Sequence, residues 1–234
     1  MSTLYLIPVP LGKRKENLTL PEHTLNVVRE LRQLVVENIR SAQSFLQWID
    51  HPVKPYELEF RVLNKKTPDQ EIFSFVKLLE NGDVGLMSEA GAPAVADPGA
   101  KLVRMVHDAG HKVVPLTGPS SILLALMASG MNGQNFAFHG YLPVDEKKRK
   151  TEIVRLETES RQSDCTQIFM EAPFRNNAML TSIIEACNPE TRLCVAVNLT
   201  MPDEEIISQP VYKWRKAALP DLTGRPAIFL LHAG

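Results

Sequence analysis

Residues 83–110 place the tightest constraint on how this chain can fold. An apolar run, Asp83-Val84-Gly85-Leu86-Met87, passes into a loop of small residues, Ser88-Glu89-Ala90-Gly91-Ala92-Pro93-Ala94-Val95-Ala96-Asp97-Pro98-Gly99. A helical pattern follows and closes at Gly110. Strand, tight loop and helix in that order form the unit from which α/β sheets are built. Asp97 reads as the helix N-cap and Pro98 as its first residue. A loop of Gly, Ala, Ser and Pro at the carboxyl end of a strand lets a ligand lie directly on the backbone. Neither GxGxxG nor GxxxxGK[ST] occurs in the sequence, so this is not one of the two common nucleotide loops.

The same alternation runs from end to end. In the first half, strands are expected at Leu4–Val9, Gln33–Glu37, Val84–Met87 and Lys112–Leu116, with helices at Pro21–Leu31, Ser41–Ile49, Pro68–Leu79 and Pro98–Ala109. Thr67 is the expected cap of the third helix, with Gln70 in the capping-box position and Gly82 beyond its end. The turn Thr117-Gly118-Pro119 divides the chain into two α/β domains, 1–117 and 118–234. The second holds helices at Ser120–Ala128, Asp145–Glu159 and Phe174–Ala186, and strands at Asn135–His139, Thr166–Met170, Arg192–Thr200 and Ala227–His232.

A formal net charge of −1 over 234 residues gives no global attraction to nucleic acid or to an anionic membrane. No apolar stretch reaches membrane-spanning length, and no basic segment leads into a long apolar run at the N-terminus. A soluble, cytoplasmic protein is expected. Cys165, Cys187 and Cys194 form no CxxC pair and read as small buried hydrophobes. His107 and His111 stand four apart, but Gly110 interrupts the helix between them, so no zinc site is expected.

Six ordered blocks carry a resemblance: Leu4-Tyr5-Leu6-Ile7-Pro8-Val9-Pro10-Leu11-Gly12, Val36-Glu37-Asn38-Ile39-Arg40, Met87–Gly99, Val114-Pro115-Leu116-Thr117-Gly118-Pro119-Ser120-Ser121, Phe138-His139-Gly140-Tyr141-Leu142-Pro143 and Phe169-Met170-Glu171-Ala172-Pro173-Phe174-Arg175. Together they resemble the tetrapyrrole (corrin/porphyrin) methylase superfamily, nearest the branch that acts on small-subunit ribosomal RNA. The resemblance implies two α/β domains with a cofactor cleft between them, S-adenosyl-L-methionine as cofactor, and a homodimer to which Trp48 or Trp214 would contribute if exposed. It implies cofactor contacts at Pro8, Leu11, Gly91, Ala92, Val95, Ser120, Ser121 and Met170. It also implies catalytic roles for Glu37 and Arg40, with Glu37 orienting or deprotonating a hydroxyl acceptor.

Each of these residues also has a plainer reading. The small-residue loop could be a bare strand-to-helix turn, the two serines ordinary caps, Met170 a core residue, and Glu37 with Arg40 a solvated pair. Glu171 stands where the branch has Glu-Ser-Pro, and Arg175 would meet an anionic substrate or solvent.

Two departures bear on the acceptor. Val197-Asn198 replaces an Arg-Glu pair typical of the branch, and the chain stops at Gly234 without the helical region that longer members carry there. The resemblance implies 2′-O-methylation of a nucleotide in small-subunit ribosomal RNA, and both departures keep alternatives open: methylation of a tetrapyrrole or another small metabolite, or a catalytically silent cofactor-binding or RNA-chaperoning module. A basic run, Lys147-Lys148-Arg149-Lys150, would meet phosphates if it were all exposed.

Overall fold

The computed structural model describes residues 2–12 and 16–234. The chain divides into two compact units, residues 1–120 and 121–234.

The first unit carries β1 (Thr3–Ile7), α1 (Glu22–Glu30), β2 (Gln33–Val36), α2 (Ile39–Trp48), β3 (Glu59–Val62), α3 (Asp69–Val76), β4 (Val84–Met87), α4 (Ala100–Asp108) and β5 (Lys112–Pro115). Its sheet has the order β3-β2-β4-β1-β5, with every pair parallel. The central strands are buried on both faces, which explains why they read as unbroken apolar runs. Their side chains alternate between two cores. Ile7, Leu34 and Val36 pack with Leu25, Val28 and Leu46 of α1 and α2. Leu4, Val35 and Leu86 pack with Phe75, Leu102 and Val106 of α3 and α4. Gly85 lies where a Cβ would fall 2.5 Å from Ile7 Cδ1 and 2.7 Å from Leu34 Cδ2, so the centre of the sheet has no room for a larger residue.

Two helix starts differ from expectation. Pro68, not Thr67, occupies the cap of α3, and no side chain bonds the free amides there. The Thr67 hydroxyl instead accepts from the Asn64 amide at 3.0 Å, closing the turn after β3, because a local side-chain bond to the backbone competes with capping. Helix α4 begins at Ala100 with Gly99 as its cap, so Asp97 is not the N-cap and Pro98 is not the first helical residue. Left-handed backbone at Ala94 and Ala96 curls the loop and delays the helix to Ala100.

The second unit carries α5 (Ser121–Ser129), β6 (Phe136–Tyr141), α6 (Glu146–Ser163), β7 (Thr166–Met170), α7 (Asn176–Ala186), β8 (Arg192–Val197), β9 (Glu205–Pro210), α8 (Val211–Trp214) and β10 (Ala227–His232). The sheet order is β6-β7-β10-β8-β9, with β6 and β7 parallel and the other pairs antiparallel. Phe169 of β7 stacks on Phe229 of β10, ring centroids 5.9 Å apart, at the centre of a core that takes in Ile153, Leu156, Ile183 and Trp214. Truncating Phe229 to alanine should remove about 3–5 kcal/mol of stability, read as a lowered urea midpoint with the slope retained.

The structure settles several side chains left open by the sequence. Trp214 is fully buried and donates its indole N–H to the Leu193 carbonyl at 3.2 Å, so it offers no surface to a second subunit. All three cysteines are free and buried, and burial pushes the Cys194 thiol up to about 11. The basic run does not present four cations. Arg149 is buried against Ser182 Oγ at 3.0 Å, and Lys150 pairs with Glu146 and Glu185, both at 2.7 Å. Only Lys147 and Lys148 face outward without an ion pair of that kind.

Candidate functional site

The carboxyl ends of β1, β2 and β4 lie side by side in the first unit, where the chain order reverses within a parallel sheet. Crevices at such points are where open α/β sheets bind ligands. Two loops leave this edge and are locked together. Val9 donates to the Gly91 carbonyl at 2.9 Å, and Gly91 donates back to the Val9 carbonyl at 3.0 Å. This bridge brings Leu11 and Gly91 into contact: a Cβ on Gly91 would sit 3.2 Å from Leu11 Cδ2.

The loop from Ser88 to Gly99 has left-handed backbone at Gly91, Ala94, Ala96 and Gly99, with φ between +63° and +139°. Two of those positions are alanines, whose Cβ disfavours the conformation by about 1–2 kcal/mol each. Such a winding turns backbone amides toward the concave side of a loop, which favours a ligand with polar groups. A Cβ on Gly99 would fall 2.9 Å from Leu86 Cδ2 and 3.2 Å from Ala94 Cβ, so the loop is tight on its inner side too. Ala92 and Ala94 are half-buried and Val95 is exposed.

The remaining proposed cofactor residues fall into three groups. Pro8 is buried under Gly118, where a Cβ would meet Pro8 Cγ at 2.3 Å, so its ring is taken up by packing and only its backbone is available. Ser120 is half-buried at the end of the first unit, and Ser121 opens α5 in the second. Met170 is half-buried and ends β7, paired with Tyr141 of β6 and Ile228 of β10.

Glu37 follows β2, its amide bonded to the Met87 carbonyl at 3.3 Å. Its carboxylate is pushed above its ordinary value by burial, and then by the negative charges of Asp97 and Glu89; a backbone bond from Glu89 and the charge of Lys65 oppose the shift. Asp97 is raised as well, chiefly by burial, while a Ser88 hydroxyl bond and Lys65 hold it back. Asp97 thus serves the charge cluster and not the helix. Arg40 lies in the first turn of α2, exposed, on a helix capped by the Asn38 side chain at 2.9 Å from the Arg40 amide. The charges acting on Glu37 come from Asp97, Glu89 and Lys65.

Of these groups, Arg40 and Glu89 line a cavity of about 520 Å³. Its walls are Val9–Gly12 after β1, Met87–Glu89 after β4, and Arg40, Ser41, Ser44, Phe45 and Trp48 of α2. Sequence reasoning missed the part played here by Glu89, Phe45 and Trp48. The one available signal was the presence of Glu89 in the small-residue loop.

In the second unit, Glu171 is buried and accepts from Arg175 Nη2 at 2.6 Å and from the Ala172 amide at 2.7 Å. Arg175 also lies over the exposed Phe174 ring, 5.0 Å from its centroid. This pair braces the turn after β7.

Comparison with known proteins adds the following. Residues 3–213 match the family described as Tetrapyrrole (Corrin/Porphyrin) Methylases. The protein named ribosomal RNA small subunit methyltransferase I of Vibrio cholerae is 32% identical over 208 residues, covering 89% of this chain and 68% of that protein. Its namesake in Bacillus subtilis is 32% identical over 209 residues, covering 88% and 67%. Among solved structures, the methyltransferase CobJ superposes with a TM-score of 0.62 at 15% identity, covering 99% of this chain and 93% of that one. Diphthine synthase gives 0.69 at 13% identity, covering 99% and 90%. At these identities the two structures establish a common fold.

Proposed function

This chain belongs to the tetrapyrrole (corrin/porphyrin) methylase family, and from that premise we propose that it uses S-adenosyl-L-methionine to methylate a ribose 2′-hydroxyl of small-subunit ribosomal RNA. The observation that carries the reading is the clasped pair of loops at the β1 and β4 edge, with Glu37 beside it and its pKa raised. The cofactor supplies an activated methyl group on a sulfonium sulfur.

The chain's own residues do the rest. The backbone of residues 91–95 and of Pro8, with the side chains of Leu11 and Ser120, forms the cradle. The fit rests on the left-handed loop and on the absence of a side chain at Gly91. Glu37, Glu89 and Asp97 surround the loop with negative charge, which favours a cationic donor. With that methyl group supplied to the hydroxyl oxygen, Glu37 would take the hydroxyl proton. A carboxylate with a raised pKa is better matched to that proton than an ordinary one. Arg40, exposed at the cavity rim, suits a phosphate of the acceptor chain.

The similar curated proteins named for ribosomal RNA support that acceptor over a small metabolite. In the sequence, Gly12 is followed directly by Lys13-Arg14-Lys15, which adds cationic character for a phosphate-bearing partner. An acceptor in the small ribosomal subunit places the enzyme's work in the cytoplasm. A homodimer remains part of the proposal, and light scattering across a wide concentration range tests it.

Mass spectrometry of ribosomal RNA from a strain lacking the gene should show one 2′-O-methyl group lost, restored by the purified enzyme acting on isolated 30S subunits. Retention of every methylated nucleotide, with 30S subunits left unmodified, sinks the RNA assignment and turns attention to small metabolites.

A further inference from the structure

The cavity of the first unit has a division of character that suits one flat, edge-polar group. One wall is apolar, made by Val9, Leu11 and Met87 together with the rings of Phe45 and Trp48, whose centroids lie 6.1 Å apart. The rest of the lining is polar. Ser41 Oγ donates to Glu89 Oε1 at 2.8 Å, which holds that carboxylate in place and leaves its second oxygen to accept from elsewhere. Arg40, Ser44 and Trp48 recur at four-residue intervals, so they project from one face of α2. The volume, about 520 Å³, lies within the range of pockets for a single compact ligand, roughly 300–1,000 Å³. It is far too small to hold a stacked duplex.

Resting on the methyltransferase reading above, we propose that this cavity receives one unstacked base of the acceptor RNA. The base packs against the apolar wall that Phe45 and Trp48 form, with its exocyclic amino edge toward Glu89 and an adjoining phosphate at Arg40. A carboxylate accepts from the amino groups of cytosine, adenine or guanine and finds no such donor on uracil. Enzymes that modify single nucleotides in RNA recognise splayed-out bases by stacking on aromatic rings and by bonds to the base edge. Holding the base in a pocket that adjoins Glu37 and the loop at Gly91 places the attached ribose beside the reacting groups, so stacking and proton transfer serve the same nucleotide.

Two substitutions probe the pocket from different sides. Ser44→Phe fills it from an exposed helix position, and Trp48→Leu removes a stacking ring. Binding of S-adenosylhomocysteine by calorimetry and methyl transfer to unmethylated 30S subunits are measured for each. Both variants should lose about tenfold or more in kcat/KM for the subunits while cofactor affinity stays within about twofold, and Trp48→Phe should recover most of the loss. Variants that methylate like the wild type overturn the base pocket and leave the enzyme assignment standing. Variants that lose cofactor affinity in equal measure also overturn it, because the cavity would then belong to the cofactor. A wild-type protein that binds S-adenosylhomocysteine but methylates no RNA overturns the RNA reading and this inference with it.

Discussion

Replacing Gly91 by valine should abolish measurable binding of S-adenosylhomocysteine while leaving the protein folded. The residue has φ +72°, where a β-branched side chain is a steric outlier. Its new Cβ would press on Leu11 Cδ2 at 3.2 Å, and the two γ-methyls would have to occupy the face of the loop proposed for the ligand. The backbone cost alone is about 1–2 kcal/mol, within what a domain of this size tolerates. Isothermal titration at high micromolar ligand should give no heat, a loss of about a hundredfold or more in affinity. Circular dichroism checks that the fold persists. Gly91→Ala carries the same backbone strain with less bulk and should retain part of the binding. Wild-type affinity in the valine variant would remove the loop from the cofactor site altogether.

Glu37→Gln should lower the rate of methyl transfer by about a hundredfold or more and barely change cofactor affinity, since it removes a proton acceptor and almost no volume. The pH profile provides a sharper test. The wild-type rate should climb as the medium passes through the raised pKa of Glu37, because only the deprotonated form takes a proton, and the variant should lose that limb. Stability should move in the opposite direction. A folded-state pKa above the unfolded value means the native form holds the proton more tightly. The resulting stabilisation is therefore complete below the ordinary value of 4.5 and is lost as pH rises through the folded value. At neutral pH the carboxylate works against the fold, through its burial and the nearby Asp97 and Glu89. The glutamine variant should then melt above the wild type at pH 7, and the gap should close on acidification. A group that weakens the fold where it sits is a familiar mark of a residue kept for chemistry. If rate and melting point both match the wild type, positioning alone must carry the reaction.

The strands whose bounds could be read without error from the sequence are all interior ones. Val84–Met87, Thr166–Met170 and Ala227–His232 are flanked on both sides by other strands and covered on both faces, so each is mostly apolar, with Thr166 and Gln167 as buried polar exceptions. The strands missed, Glu59–Val62 and Glu205–Pro210, lie at sheet edges, where half-exposure permits Glu, Arg, Ser and Gln and dilutes the pattern. The misplaced caps have a different cause. Thr67 and Asp97 are good capping residues, but each found another partner: the nearby Asn64 amide for one, the more distant Ser88 hydroxyl for the other. The family blocks drew attention to Glu37, Arg40 and Gly91. They could not expose the cavity, because Ser44, Phe45 and Trp48 read as an ordinary amphipathic helix until α2 is laid against the exits of β1 and β4.

The position of β10 has a bearing on how the chain is made. Residues 227–232 form the middle strand of the second sheet, bonded on one side to β7 and on the other to β8. Nascent chains emerge N-terminus first, and domains fold as units as they become available. The first unit has all five strands by Pro115 and can complete itself while synthesis continues. The second must wait with two half-sheets, β6-β7 and β8-β9, each exposing an unpaired apolar edge until its shared neighbour arrives. Over that interval the unfinished half is the part of the molecule most exposed to mispairing, and the most natural client for a chaperone.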